Sequence, residues 1–186
     1  STRPGAREVP EADEIARVVP AITGLRGLAA ISVDTRKAGV ARAAIAAGAG
    51  LVNDVSGFDF DPGLAQVVAE SGLPVCLMHA QGIPETMQDD PSYGDVLLDV
   101  YDALAARIAR AEAAGIPRAR IVIDPGIGFG KTQAHNLAIL RRISLYHGLG
   151  CAVLLGVSRK RFIGSIGGAK VAADRSAGTL AVTLAG

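Results

Sequence analysis

The sequence predicts an α/β protein with about five parallel strands and helices between them. Two observations support this prediction. Short, β-branched apolar runs alternate with longer amphipathic segments along the chain, and a polar side chain stands where each apolar run ends. Strands that alternate with helices pair in parallel, because each helix returns the chain to the start of the next strand. An open doubly wound sheet and a (β/α)8 barrel both show this alternation, so periodicity alone does not choose between them.

The apolar runs predict strands at 29–33, 51–52, 74–78, 121–123 and 152–157. The amphipathic segments predict helices at 11–25, 40–47, 64–70, 94–114 and 136–146, and two further helical pieces close the chain. Acidic residues early in the first helix suit the helix dipole, and Gly48 is a typical C-terminal cap. The polar, proline-containing segment 81–92 predicts a long loop beside a functional site.

Composition and charge limit the possible partners. The chain has 186 residues, of which 49% are hydrophobic and 20% charged, an ordinary balance for one globular domain. Its formal net charge of +1 provides no broad attraction for nucleic acid or anionic membranes, and no apolar run is long enough to span a bilayer. Neither partner is therefore predicted. Cys76 and Cys151 lie inside apolar runs, which favours buried, reduced thiols in a cytoplasmic protein.

The stretch IVIDPGIGFGKT at 121–132 organises the rest of the chain. Its strand ends on Asp124, Pro125 stops ladder pairing, and the following glycines allow a tight turn and close approach to a ligand. Gly130, Lys131 and Thr132 match the end of a phosphate-binding loop. The first glycine of that pattern, however, would be Pro125, which has no N–H to donate. The glycine spacing of a dinucleotide turn is also missing, so ATP and NAD are weak interpretations.

Polar residues follow all five predicted strands: Asp34, Asn53, His79, Asp124 and Ser158. The carboxyl ends of parallel strands are where α/β folds bind ligands, which predicts an organised pocket rather than five unrelated loop caps. A carboxylate can accept two parallel hydrogen bonds from an amino-pyrimidinone edge, and an amide both donates and accepts. The set therefore suits a flat heterocycle that is rich in N–H donors.

Other residues near these strand ends have weaker assignments. Lys160 is placed to keep Asp124 ionised or to contact the same ring, whereas Arg159 and Arg161 are expected to be solvated. Met78 and Phe129 are packing residues that could also cover the faces of a ring. The three histidines lack zinc-ligand spacing, so no protein-bound transition metal is predicted. Neither a Ser-His-Asp order nor a reactive cysteine supports covalent catalysis.

Seven motifs in this order resemble the bacterial dihydropteroate synthase family over essentially the whole chain. They are STRPG at 1–5, SVDT at 32–35, ND at 53–54, LMH at 77–79, DPGIGFGK at 124–131, HN at 135–136 and SRK at 158–160. STRPG and SRK are the most specific of these motifs. The acid before a glycine-rich turn is shared more widely, including with pterin-dependent methyltransferases.

The resemblance implies a transferase of folate biosynthesis. Such an enzyme joins p-aminobenzoate to 6-hydroxymethyl-7,8-dihydropterin diphosphate, releases diphosphate with the help of Mg²⁺, and is inhibited by sulfonamides. The catalytic residues implied are Asp34, Asp124 and Lys160. The substrate-binding residues implied are Asn53, Met78 and Phe129 for the pterin, with Thr2, Arg3, Pro4 and Ser158 for p-aminobenzoate; Arg3 would also face the departing diphosphate.

The same resemblance implies that residues 1–186 form one partial pterin-binding domain, an incomplete TIM-type barrel. It would hold the third to seventh of eight strands, without the first two and the last. The Mg²⁺-binding loop would lie outside this chain, so no metal ligand is assigned here and the fragment alone is expected to be inactive or nearly so. A homodimer is expected for the full-length protein. The alternatives are a pterin- or folate-binding domain of the non-catalytic or methyltransferase type, and an α/β fragment without a competent site.

Overall fold

The computed structural model of the chain describes residues 8–82, 86–87 and 89–186. Its centre is a sheet of five parallel strands that lie side by side in chain order. The strands are β1 Ser32–Asp34, β2 Leu51–Asp54, β3 Val75–Met78, β4 Ile121–Asp124 and β5 Ala152–Val153. Because β1 and β5 do not pair with each other, the sheet is open. The predicted number and direction of the strands are confirmed.

Helices connect the strands as the alternation predicted. They are α1 Glu11–Leu25, α2 Ala38–Ala47, α3 Gly63–Ser71, α4 Val96–Ala113, α5 Gln133–Arg141, α6 Arg161–Gly167 and α7 Ser176–Ala185. Short 3₁₀ turns lie at Arg118–Arg120, Ile143–Leu149 and Ala172–Arg175. No helix in the described ranges is both long and apolar enough to cross a membrane.

The strand register separates the two faces of the sheet. Asp34 pairs with Asn53 and Asn53 pairs with Cys76, so these three side chains point to the same face. Met78 and Asp124 pair with each other, and each lies two residues after a member of the paired residues Cys76 and Val122. Because side chains alternate along a strand, Met78 and Asp124 belong to the same face as Cys76. The opposite face packs against the helices and forms the core. Its strand residues are Val33, Val52, Val75, Leu77, Ile121 and Ile123, all nearly inaccessible to solvent.

Capping residues explain where two of the helices begin and end. α4 begins at Val96, two residues later than predicted, because the Asp95 carboxylate accepts hydrogen bonds from Leu97 N at 2.9 Å and Leu98 N at 3.3 Å. A cap of this kind stabilises a helix by about 1 kcal/mol. α2 ends at Gly48, whose φ of 119° is left-handed, as the sequence predicted.

Several predicted elements differ from the structure in their limits. β1 begins at Ser32 rather than at residue 29, and it ends on Asp34. β5 was predicted over 152–157 but ends at Val153, because its neighbour β4 ends at Asp124 and Pro125 has no N–H for further pairing. The helix predicted over 136–146 is α5 followed by a separate 3₁₀ turn. Tyr146 and Leu149 in that turn are buried in the core.

Candidate functional site

Three of the five predicted polar residues, Asp34, Asn53 and Asp124, lie at one edge and on one face of the sheet. His79 directly follows Met78 at the end of β3, and Ser158 lies five residues beyond the end of β5. Asp34 and Asn53 are paired neighbours, and Asp124 lies two strands beyond Asn53. Between them, Cys76 is fully buried. Burial raises the pKa of the Cys76 thiol to about 12, and the negative charges of Asp124 and Asp34 act in the same direction. Both carboxylates therefore influence the same central side chain.

Asp124 is held firmly at the end of β4. Its side chain is buried, and Oδ1 accepts a hydrogen bond from Gly126 N at 2.7 Å. Burial raises the pKa of this carboxyl, while the Gly126 N–H and the cations Lys160 and Lys131 oppose the increase. Gly126 itself has a φ of 71°, and a β-carbon there would lie 1.8 Å from the His79 carbonyl oxygen. Only glycine allows this turn to pass so close to β3.

Lys160 lies across an open position from Asp124. Its Nζ donates a hydrogen bond to the Ile127 carbonyl and stands 4.7 Å from the centre of the Phe129 ring. Burial lowers the pKa of Lys160, and the Asp124 charge opposes that decrease. A β-carbon placed on Gly156 would lie 3.6 Å from Asp124 Oδ2 and 3.7 Å from Lys160 Nζ. The absence of a side chain at Gly156 thus leaves space between an acid and a cation.

Asp34 forms the open end of this row of polar side chains. It is exposed, whereas its neighbour Asn53 is half-buried. Partial burial raises the pKa of Asp34, and the negative charges of Asp54 and Glu14 add to the increase. Asp34 is therefore an acceptor that a ligand with N–H donors can reach from solvent.

Two cavities adjoin these strand ends. One, of about 130 Å³, is lined by Met78 and Phe129 together with Val55 and Ala80. The other, of about 760 Å³, is lined by Phe129, Ser158 and Lys160, among others. The structure thus brings Met78 and Phe129 together, and Phe129 with Ser158 and Lys160. Asp34, Asn53 and Asp124 line neither of these two cavities, and Thr2, Arg3 and Pro4 lie outside the described residues.

Sequence reasoning missed Lys131, which it considered only as part of a phosphate-binding pattern. Lys131 is 3% exposed, and its Nζ lies 2.9 Å from His79 Nδ1, 3.0 Å from the Phe129 carbonyl oxygen and 3.4 Å from that of His79. Burial lowers the pKa of Lys131 to about 7. Burial also lowers the pKa of His79 to about 2, and the positive charge of Lys131 acts in the same direction. A neutral His79 therefore accepts at Nδ1, and the pair joins the end of β3 to the glycine turn after β4.

Asp54 also escaped prediction, although it follows Asn53 directly. It is fully buried, and its carboxylate accepts hydrogen bonds from Ser56 N at 2.8 Å, Ser56 Oγ at 2.6 Å and Phe58 N at 2.7 Å. Burial raises the pKa of Asp54 against these hydrogen bonds. The pattern of an acid followed by serine and glycine, typical of a tight turn, was the available signal. Asp54 shapes the loop that follows Asn53.

The described residues do not fit a protein-bound magnesium site. Magnesium prefers several oxygen ligands at near-octahedral geometry. In the ranges that the structure covers, no three His, Cys, Asp or Glu side chains are grouped closely enough to hold a metal ion. Asp34 and Asp124 end strands that lie three places apart in the sheet, and Asp124 faces the cations Lys160 and Lys131 and the Gly126 N–H.

Comparison with known proteins agrees with this arrangement. The family described as "Pterin binding enzyme" matches residues 1–186, and the chain therefore belongs to the pterin-binding enzyme family. Within that family, its relatives are dihydropteroate synthases. The Escherichia coli K12 enzyme is 44% identical over 168 residues, which cover 89% of this chain and 59% of the relative. The chain thus spans about three fifths of the length of the curated Escherichia coli enzymes to which it is similar.

Solved structures give the same result for the fold. A Xanthomonas albilineans dihydropteroate synthase with 4-aminobenzoic acid is 45% identical, with a TM-score of 0.93 over 100% of this chain and 66% of that one. A Yersinia pestis dihydropteroate synthase with a sulfonamide drug is 41% identical, with a TM-score of 0.95 over 100% of this chain and 67% of that one. The five-stranded sheet is therefore part of a TIM-barrel-type fold, as the resemblance implied.

Proposed function

We propose that this chain is the central part of a dihydropteroate synthase. As a transferase of folate biosynthesis, the whole protein joins 6-hydroxymethyl-7,8-dihydropterin diphosphate to p-aminobenzoate and gives 7,8-dihydropteroate and diphosphate. The observation that carries this proposal is the convergence of Asp34, Asn53 and Asp124 at one edge and one face of a parallel sheet. We further propose that the five strands are the third to seventh strands of an eight-stranded barrel.

The pterin edge supplies the N–H donors that these residues need. Asp124 has one oxygen fixed by Gly126 N, and its second oxygen faces the space at Gly156. An amino-pyrimidinone edge in that space can donate hydrogen bonds to the carboxylate, while Asn53 and Asp34 receive other ring N–H groups. Lys160 on the far side of the space favours the ionised form of Asp124. Met78 and Phe129 cover the apolar surface of the ring.

The proposed reaction is a dissociative substitution at the pterin methylene carbon. The C–O bond to diphosphate breaks and its electron pair leaves with the diphosphate. The positive charge that develops on the pterin is stabilised by the fixed carboxylates Asp34 and Asp124, a preorganised electrostatic contribution. The aniline nitrogen of p-aminobenzoate then forms the new C–N bond and loses its proton to solvent. Thr2, Arg3, Pro4 and Ser158 are proposed to shape the aminobenzoate site, with Arg3 facing the diphosphate.

The remaining expectations of the family belong to the whole protein. We propose a cytoplasmic homodimer that uses Mg²⁺ to assist diphosphate release, with the metal held outside the residues described here. Sulfonamides would bind as p-aminobenzoate mimics, as the sulfonamide complex of the Yersinia pestis relative suggests.

A binding experiment tests the pterin assignment directly. Asp124→Asn keeps an oxygen that can accept from Gly126 N but removes the charge, so pterin affinity measured by titration calorimetry should fall by at least about tenfold. Asp174→Asn removes the same charge at an exposed position outside the site and should bind normally. Unchanged pterin affinity in Asp124→Asn would refute the assignment.

A coupled assay tests catalysis separately. The 186-residue chain is expected to bind pterin but to show little turnover, because the predicted metal and diphosphate loop is not among its motifs. Binding of methyl-tetrahydrofolate without any binding of p-aminobenzoate would instead favour the methyltransferase-type alternative.

A further inference from the structure

Lys131 is a buried cation to which the proposed reaction gives no role. The residue is only 3% exposed, and none of the ion pairs among the described residues includes it. Lysine is almost never fully buried unless it is paired, because removing its charge from water is costly. Its Nζ instead contacts His79 Nδ1 at 2.9 Å, the Phe129 carbonyl oxygen at 3.0 Å and the His79 carbonyl oxygen at 3.4 Å. A lysine kept buried at this cost points to a role beyond packing.

The Lys131 ammonium lies against the turn that follows Asp124. A β-carbon added to Gly126 would lie 3.3 Å from Lys131 Nζ, and the N–H of the same glycine donates to Asp124 Oδ1 at 2.7 Å. Its contacts with His79 hold this turn against the end of β3, and its contact with the Phe129 carbonyl holds the turn at its other end. The geometry that fixes Asp124 therefore depends on Lys131 Nζ.

The residues next to Lys131 are fixed by a second set of contacts. Tyr93 Oη donates to the Gly130 carbonyl at 2.6 Å, and a β-carbon on Gly130 would overlap the Gln81 backbone. The Gln81 side chain in turn donates to the Ser92 carbonyl at 2.7 Å and accepts from Ser92 N at 3.0 Å. The loop after β3 and the turn after β4 thus pack as one unit around Lys131.

The charges of Lys131 and Asp124 act on each other. Burial raises the pKa of Asp124, and the cations Lys160 and Lys131 oppose the increase. Burial lowers the pKa of Lys131 to about 7, the Asp124 charge opposes that decrease, and the charges of Lys160 and Arg107 add to it. Asp124 is therefore the neighbour whose charge favours the ammonium form of Lys131, and Lys131 in turn favours the ionised form of Asp124.

Three other titratable side chains around this pair carry no charge near pH 7. Burial lowers the pKa of His79 to about 2, and it raises the pKa of Tyr93 and that of Cys76 to about 12. The charge of Lys131 can therefore change near neutral pH while these three neighbours stay neutral.

We propose that Lys131 is a positioning residue of the pterin site, which holds the turn of Asp124 in place and keeps its carboxylate ionised for the N–H donors of the pterin. This inference rests on the proposed function. Lys131 acts only through Asp124, because its Nζ contacts His79 and Phe129 while the second oxygen of Asp124 faces the space at Gly156. The glycine–lysine motif that matches the end of a phosphate-binding loop thus serves the pterin site instead.

The charge of Lys131 should affect how pterin affinity depends on pH. Below about pH 7, Lys131 is protonated and favours the ionised form of Asp124, so Asp124 should become protonated at a higher pH in a variant that lacks this charge. Above about pH 8, the wild-type amine is itself neutral, and both proteins carry the same charge at this position. The ratio of wild-type to variant affinity should therefore increase as pH falls.

Titration calorimetry of 6-hydroxymethyl-7,8-dihydropterin on the 186-residue chain, from about pH 5 to about pH 9, measures this ratio. Lys131→Met should bind the pterin more weakly than the wild type, and the ratio should be at least about fivefold larger at the acidic end than at the alkaline end. Lys170→Met removes the same charge at an exposed position and should match the wild type throughout. His135, which accepts from Thr132 N at 3.3 Å, is present in every variant, so its own titration cancels in the ratio.

Two further variants make the test decisive. If urea titrations show that Lys131→Met does not fold, Lys131→Gln keeps a polar N–H group without the charge and should give the same pH dependence. In an Asp124→Asn background the amide cannot ionise, so the loss of affinity caused by Lys131→Met should no longer depend on pH. A pH-dependent loss that persists in this background would show that Lys131 acts through another group, and it would overturn the inference.

The remaining outcomes separate this inference from the proposed function. Suppose that the wild type binds the pterin and Asp124→Asn binds it weakly, but Lys131→Met loses no affinity or loses the same factor at every pH. Lys131 would then be a packing residue only, so the inference would be wrong and the proposed function would stand. If the wild type does not bind the pterin at any pH, both fall together.

Discussion

Asp124 combines a binding role with a cost in stability. Burial raises its pKa, so the folded state binds a proton more readily than the unfolded state does. Its contribution to the free energy of unfolding is therefore fully present below the unfolded pKa, near 3.8, and is lost as pH rises through the folded pKa. A buried carboxylate without a bound ligand is thus a place where this fold gives up stability.

Asp124→Asn should consequently unfold at higher urea concentration than the wild type at pH 7, because the buried charge is removed and Gly126 N keeps an acceptor. The difference should shrink as pH falls through the raised pKa of the wild-type carboxyl, because that carboxyl then becomes protonated. Urea titrations at several pH values measure this effect. A variant that is less stable than the wild type at pH 7 would show that hydrogen bonds to the carboxylate outweigh its burial.

Lys131 should make stability depend on pH in the opposite direction. Burial lowers its pKa from 10.5 to about 7, so between these values the unfolded chain binds more protons than the folded chain. The free energy of unfolding should then rise with pH above 7, by about 1 kcal/mol per pH unit from this group. Lys131→Met should lose that slope, while Lys170→Met at an exposed position should keep it. If the free energy of unfolding changed equally with pH in the wild type and Lys131→Met from pH 7 to 9, burial would not lower the pKa of Lys131.

At the scale of elements, the turn after β4 depends on close contact with the end of β3. Gly126 and Gly115 both have positive φ, 71° and 93°, but a β-carbon meets the His79 carbonyl at 1.8 Å only at Gly126. Gly115→Ala should cost about 1–2 kcal/mol from its backbone conformation alone. Gly126→Ala should cost clearly more, because the two strand ends must also separate.

Urea unfolding of the two glycine variants separates the cost of a left-handed backbone, which both variants carry, from the cost of the contact with His79, which only Gly126→Ala carries. Pterin affinity gives a second measurement. Because displacement of the turn moves Asp124, pterin should bind more weakly to Gly126→Ala but not to Gly115→Ala. Equal stabilities and equal affinities for both variants would show that the turn can shift away from β3 without consequence.

The elements themselves were largely predictable from sequence, but their limits and side-chain contacts were not. β-branched runs ending on acids identified β1 and β4, and hydrophobic periodicity identified α4, which buries Val100, Leu104 and Ile108. β5 was predicted too long, because an apolar run does not reveal that its neighbour ends at a proline. The Lys131–His79 contact joins residues 52 positions apart, and no local pattern encodes such a pair.

At the scale of the whole molecule, a ligand that contacts several strand ends should stabilise the open sheet. β1, β2, β3 and β4 each contribute one residue to the proposed pterin site: Asp34, Asn53, Met78 and Asp124. A ligand bound only to the folded state at 100 times its dissociation constant adds about 2.7 kcal/mol to the free energy of unfolding. Pterin should therefore raise the urea midpoint of the wild type, and should raise that of Asp124→Asn much less at the same concentration. An equal increase in both would place pterin somewhere other than this edge of the sheet.

The sequence by itself determined the order of strands and helices, their parallel direction and the polar residues at the ends of β1 to β4, because these features follow from local hydrophobic periodicity and turn chemistry. Tertiary structure alone decided which of those residues share a face, how burial shifts their pKa values, and which cations line the cavity beside Ser158. These properties arise from register, desolvation and contacts between distant segments, and they exist only once the chain has packed.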